Sequence, residues 1–181
     1  MPKAASRPFA RRSCQTLDPA MWVRPDHVSL RPITSETVRS VCALSVAAGQ
    51  SQFVAPNAVS LAEALFSPCA WYRAIYFQES AVGFVMLYDQ SLGAPATPSP
   101  KAVIWRFMID AASQGKGMGR AAISLVIEHV RGKRMFSAVS LSYVPAPGNA
   151  EHFYRGPGFR PTGKVEDGEV ELELLLGDRE V

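Results

Sequence analysis

The chain has 181 residues, 48% of them hydrophobic and 19% charged, with a formal net charge of +3. That length closes one sizeable core and is short for two ordinary domains, and no apolar run approaches the roughly 20 residues that cross a bilayer as a helix. Three cysteines, Cys14, Cys42 and Cys69, have neither metal-ligand spacing nor a disulfide framework, which fits a reducing cytoplasm and a protein without a metal site.

Residues 1–26 hold Lys3, Arg7, Arg11, Arg12 and Arg24 against Asp18 and Asp26, so this stretch carries the whole net charge. It lacks the apolar segment of a secretory signal and reads as a mobile tail, leaving 27–181 as one neutral domain. That neutrality weakens the nucleic-acid reading that a pI of 8.9 invites. Inside the domain, basic residues dominate 101–164 and acidic ones 165–181; the middle suits an anion and the end a cation.

The alternation over 27–33 predicts a first strand, after which Thr34 or Ser35 caps a helix reaching Leu44. Ser60 and Glu63 stand in capping-box spacing at the start of a short helix over 60–66. Two β-rich runs, 71–77 and 81–89, flank a hairpin turn at Gln78-Glu-Ser80, and a Ser/Pro/Gly/Ala-rich loop fills 90–100. A strand over 102–109 leads into Gln114-Gly-Lys-Gly-Met-Gly-Arg120 and a helix over 117–131 that Gly132 can stop. A strand over 137–144 follows, then a short helix that Asn149 can cap, carrying Glu151 to Arg155. Two strands, 159–165 and 169–176, enclose the turn Glu166-Asp-Gly168.

The glycine turn carries the chemistry. Gly115, Gly117 and Gly119 leave backbone N–H groups unobstructed at a helix N-terminus, where unpaired donors and the macrodipole favour an anion such as a pyrophosphate. A Walker A loop would end in Gly-Lys-Ser/Thr, and here Gly115-Lys116 is followed by Gly117. A dinucleotide fingerprint wants a carboxylate about 20 residues on, and the next strand reads Ser140-Leu-Ser-Tyr143. An ordinary tight turn is the bland alternative.

Gln114-Gly-Lys-Gly-Met-Gly119 resembles the Gln/Arg-x-x-Gly-x-Gly/Ala motif of the GNAT superfamily of acyl-CoA-dependent N-acetyltransferases. The order of a hairpin, the motif strand and helix, another strand, and then Asn149 to Tyr154 with Gly158-Phe159 resembles that family too, over roughly 27–176. Within it, Trp105-Arg-Phe-Met-Ile-Asp110, Leu141-Ser-Tyr-Val-Pro145 and Pro147-Gly-Asn149 look like bacterial spermine or spermidine acetyltransferases.

The resemblance implies a mixed α/β fold: a central twisted, largely antiparallel sheet with a splayed motif strand and helices on both faces. It implies acetyl-CoA as donor and direct attack by a primary amine of a small molecule, with a polyamine or a protein or peptide amine as the acceptor. The backbone of Phe107, Met108 and Ile109 would meet the pantetheine arm, and one of its N–H groups would polarise the acetyl carbonyl. Gln114, Gly115, Lys116, Gly117, Met118, Gly119 and Arg120 would wrap the pyrophosphate. Tyr154 would protonate the departing thiolate, unless Phe153-Tyr154 is simply packing. Asn149 matches a cofactor contact or a helix cap.

The chain also departs from the family pattern. Its motif strand offers Arg106 where many members place a carboxylate, so the general base is unassigned, with Asp89 and Asp110 as candidates or as turn residues. Pro157, before Gly158-Phe159, predicts a shortened helix end. Glu36, Glu63 and Asp89 are candidates for holding a cationic substrate, against the reading of each as ordinary solvated surface. A noncatalytic acyl-CoA-binding module remains the contrasting reading, and a homodimer is compatible with either.

Overall fold

The computed structural model describes residues 27–93 and 100–177. The tail over 1–26 and most of the 90–100 loop lie outside the described residues. The elements are β1 (Val28–Arg31), α1 (Val38–Cys42), α2 (Asn57–Ala64), β2 (Ala70–Phe77), β3 (Ser80–Asp89), β4 (Ala102–Ile109), α3 (Met118–Gly132), β5 (Ala138–Tyr143), α4 (Glu151–Arg155), β6 (Arg160–Glu166) and β7 (Glu169–Leu175). They form one seven-stranded sheet in the order β1-β2-β3-β4-β5-β7-β6. Every neighbouring pair is antiparallel except β4 and β5.

Side chains that alternate along the strands build a core on each face. On β3, Val85 and Leu87 face one way with Ile104 and Ile109 of β4; Phe84 and Met86 face the other with Met108. The first face is covered by α3, whose Ala122, Ile123, Val126, Ile127 and Val130 recur at helical spacing and are all buried. The second is covered by α1 and α2 through Val41, Leu61 and Ala64. Helices therefore lie on both faces, and the mixed α/β expectation holds. Among the described residues no helix is long and apolar enough to cross a membrane.

Two helix starts differ from the sequence expectation. The first helix begins at Val38: Thr37 Oγ1 accepts from the Thr34 N–H at 2.9 Å, which makes a turn of the predicted cap. The second begins at Asn57, directly after Pro56, whose fixed φ closes the preceding extended segment. Ser60 sits inside this helix and donates to the Pro56 carbonyl at 3.3 Å, so it forms no capping box with Glu63. Gly132 is the last residue of α3, and the left-handed conformation that ends the segment belongs to Arg134, φ 55°. Helix α4 is a five-residue turn ending at Gly156, short as Pro157 predicted.

Candidate active site

Pairing of β4 with β5 is confined to Ala102↔Val139 and Val103↔Ser140, although β4 runs to Ile109 and β5 to Tyr143. The strands splay apart, leaving one backbone edge of β4 facing a cleft of about 1920 Å³. Trp105 is an extra residue in β4, because Met86↔Arg106 is followed by Leu87↔Ile104. Such a bulge re-aims the backbone and side chains locally. Trp105 joins the α1/α2 face, and Arg106 turns to Glu63 of α2 at 3.1 Å. Phe107, packed against the α3 core, stacks on Phe153 of α4, with ring centroids 5.7 Å apart.

The glycine turn closes one end of this cleft, and its three glycines serve two physical needs. Gly115 and Gly117 have φ of 74° and 85°, in the left-handed region that side chains disfavour. Gly119 instead permits close approach: a Cβ there would lie 3.3 Å from both Ile109 Cγ1 and Phe153 Cε2. The first turn of α3 is thereby drawn against the end of β4 and against α4, with its unpaired N–H groups at the cleft wall. Gln114 locks the arrangement, its Nε2 donating to the Ile109 carbonyl at 2.9 Å and to Gln50 Oε1 at 2.8 Å.

Tyr154 is buried on α4, lines the cleft, and makes edge-to-face contacts with Phe107, Phe153 and Phe159. Burial pushes its phenol well above the ordinary tyrosine range, so the proton is retained at neutral pH. Asn149 also lines the cleft, and its Oδ1 accepts from the Glu151 N–H at 2.9 Å. The N-cap position of α4 is Ala150, so Asn149 does not cap the helix; it forms a side-chain turn one residue ahead of it.

The profile of the Acetyltransferase (GNAT) family matches residues 48–159, which contain the bulged strand, the splay, the glycine turn and Tyr154. The chain belongs to the GNAT family of acetyltransferases. This GNAT chain is 24% identical over 148 residues to the spermine/spermidine N(1)-acetyltransferase of Bacillus subtilis, covering 77% of this chain and 91% of that one. Among solved structures it is similar to a GNAT acetyltransferase from Elizabethkingia anophelis with acetyl-CoA bound. That match has a TM-score of 0.59 and 15% identity, over 83% of this chain and 99% of that one. It is also similar to the ribosomal-protein-S18-alanine N-acetyltransferase of Escherichia coli, with a TM-score of 0.60 and 13% identity over 84% and 96% of the two chains. The fold expected from the sequence is thus the fold of this family.

Of the residues named from the sequence, Phe107, Met108, Ile109, Gln114, Gly115, Gly117, Gly119, Arg120, Asn149 and Tyr154 line the cleft. Met108 does so from the strand, since its side chain lies in the α1/α2 core, where its Sδ accepts from Asn57 Nδ2 at 3.7 Å. Several expectations need correction. Lys116 does not line the cleft: its Nζ turns back to the Ala112 carbonyl at 2.6 Å. The Met118 side chain is buried in the α3 core.

Asp89 lies beside Ala102, at the far end of the sheet from the glycine turn, and its side chain is only 2% exposed. It pairs with Lys133 and accepts from the Ser91 N–H at 2.9 Å. Burial raises its carboxyl pKa, but the bonds from Lys133 and Ser91 outweigh this and hold it below the ordinary value. It is a structural cap outside the cleft. Asp110 ties down the loop after α1, its Oδ1 accepting from the Ser45 N–H at 3.0 Å and its Oδ2 from the Ala112 N–H at 3.1 Å. Glu36 is exposed at the start of α1, and Glu63 is engaged by Arg106; neither lines the cleft.

One wall was missing from the sequence reading. Val46 and residues 50–55, in the loop between α1 and α2, also line the cleft. Phe53 reaches Gly148, its Cε2 lying 4.0 Å from where a Cβ on that glycine would be. The signal was the amide pair Gln50 and Gln114, which is invisible until the fold brings together residues 64 apart.

Proposed function

We propose that the protein moves an acetyl group from acetyl-CoA to a primary amine of a small molecule by direct attack, with Tyr154 as general acid. The observation that carries this reading is the splay of β4 from β5 at the glycine turn, with Tyr154 lining the same cleft. Donors along the first turn of α3, with Arg120, suit a pyrophosphate. The free edge of β4 suits the amide-bearing pantetheine arm, and an N–H there suits a developing oxyanion. Tyr154 holds its proton through burial and has no protein hydrogen-bond partner for its hydroxyl among the described residues, which leaves that proton for a departing thiolate.

A polyamine is the first acceptor to screen, supported by the likeness to the Bacillus subtilis spermine/spermidine enzyme. It is weakened by the removal of Glu36, Glu63 and Asp89 from the cleft wall. Thermal stabilisation by acetyl-CoA, followed by an amine screen with free-thiol detection on wild type and Tyr154→Phe, tests the proposal. Stabilisation of both proteins, with turnover only in the wild type, is the expected result. No stabilisation at saturating acetyl-CoA refutes it, and turnover of other amines but not spermine or spermidine removes the polyamine.

A further inference from the structure

A primary amine is protonated at neutral pH and must lose a proton before it attacks the thioester, so a carboxylate facing the cleft is matched to it, and this inference rests on the function proposed above. On β5 and β7, Leu141, Leu172 and Leu174 face the α3 core. Ser142 and Glu171 are register partners. By alternation Ser142, Glu169, Glu171 and Glu173 therefore stand on the other face, that of α1 and α2. Glu169 opens β7, lines the cleft, and accepts from the Ser142 hydroxyl.

Among the described residues, Glu169 and Glu128 are the carboxylates that line the cleft. Glu63 pairs with Arg106, Glu151 with Arg155 and Glu171 with Lys164, while Asp110 is held by backbone amides. Among the described residues Glu169 has no cationic partner. Glu128 also lines the cleft, but it lies on α3, on the side of the glycine turn. A carboxylate without a counter-ion, its orientation fixed by a neutral hydroxyl, is matched to an incoming ammonium.

We propose that Glu169 seats the acceptor ammonium and takes its proton. One N–H proton passes to the carboxylate, directly or through one water, and the freed lone pair forms the C–N bond at the acyl carbon. The C–S bond breaks with its electron pair on sulfur, and Tyr154 gives sulfur its proton. The acylated nitrogen sheds its second N–H proton through water, which restores the proton of Tyr154, and Glu169 releases its own to solvent, so one proton is released per turnover.

Glu169→Gln tests this, because an amide oxygen still accepts from Ser142 while the charge is removed. Steady-state kinetics are measured on spermidine, n-butylamine and a peptide α-amine, with acetyl-CoA saturating and then varied. The expected result is a tenfold or greater rise in amine KM and a fall in kcat/KM for the amine, with the acetyl-CoA KM and the acetyl-CoA thermal shift unchanged. Glu169→Asp should recover part of the loss, and Glu171→Gln, on the same face, should match wild type. Unchanged amine kinetics in Glu169→Gln overturn the assignment, as does an equal loss for amine and acetyl-CoA accompanied by a lowered Tm, which marks a purely structural role. A wild type that binds acetyl-CoA but acetylates none of the screened amines overturns the proposed acceptor chemistry and this assignment together; one that fails to bind acetyl-CoA overturns the donor site as well.

Discussion

Gly117→Ala separates the conformational and the ligand-binding roles of the glycine turn. Gly117 has φ 85°, and a Cβ there meets nothing within 4 Å, so the substitution introduces backbone strain without a clash. Left-handed backbone costs an alanine about 1–2 kcal/mol, and each kcal/mol lowers Tm by roughly 2–4 °C in a chain of this size. If the turn relaxes to relieve that strain, an N–H aimed at the pyrophosphate is lost, and a hydrogen bond to a charged group contributes about 1.5–3 kcal/mol. That weakens binding roughly 10- to 100-fold.

At acetyl-CoA equal to 100 wild-type Kd, ligand stabilisation is about 2.7 kcal/mol; after a 10- to 100-fold loss it falls to about 1.4–0.4 kcal/mol. Differential scanning fluorimetry with and without acetyl-CoA reads both effects. Gly163→Ala on the edge strand β6 is the matched control, because it has the same φ, nothing within 4 Å and no place in the cleft. It should lose stability in the free protein and keep the full ligand shift. A Gly117→Ala protein that also keeps the full shift would refute the assignment of this turn to the donor.

Three further outcomes follow from other contacts. Asp89→Asn should lower stability by roughly 1.5–3 kcal/mol, the usual contribution of a hydrogen bond to a charged group. Because the folded carboxyl lies below its ordinary value of 3.8, wild type should hold its advantage above about pH 4 and lose it as pH falls through the folded pKa, as read by Tm against pH. Gln114→Ala removes the tether between the glycine turn and the loop after α1. It should cost about 1–3 kcal/mol for two neutral bonds, lower Tm by roughly 2–12 °C, and be contradicted by an unchanged Tm. Tyr154 stays protonated above the ordinary tyrosine pKa near 10, so kcat should show no alkaline fall assignable to this phenol through pH 9.5. A fall there that is absent in Tyr154→Phe would contradict its burial.

What could be read from the sequence was what local chemistry decides. The strand before the glycine turn is Ala102–Ile109 as its apolar pattern required, and the positive φ at Gly115 and Gly117 is what glycines at such a turn supply. Asn149 bonds the Glu151 N–H just ahead of α4, a local contact, although the cap position itself is Ala150. What failed depended on which of several available partners a side chain takes, near in sequence or far. Asp89 reads as a candidate base or a turn residue; it is the turn residue, accepting from the Ser91 N–H, and only the fold shows Lys133, 44 residues on, pairing with it. Lys116 reads as a phosphate ligand, yet the Ala112 carbonyl is in reach. Ser60 and Glu63 have the spacing of a cap, but Pro56 starts that helix earlier. Loop 50–55 carries little titratable chemistry, so only the tertiary structure reveals it as a wall of the cleft.

The central claim is that one cleft brings an acyl donor to an amine with Tyr154 supplying the final proton. Amine-dependent release of free thiol from acetyl-CoA, compared between wild type and a Tyr154→Phe protein that binds acetyl-CoA equally well, tests it most directly. The account predicts turnover by wild type and a loss of roughly 10²- to 10⁴-fold in the variant; equal turnover by the two proteins would contradict it.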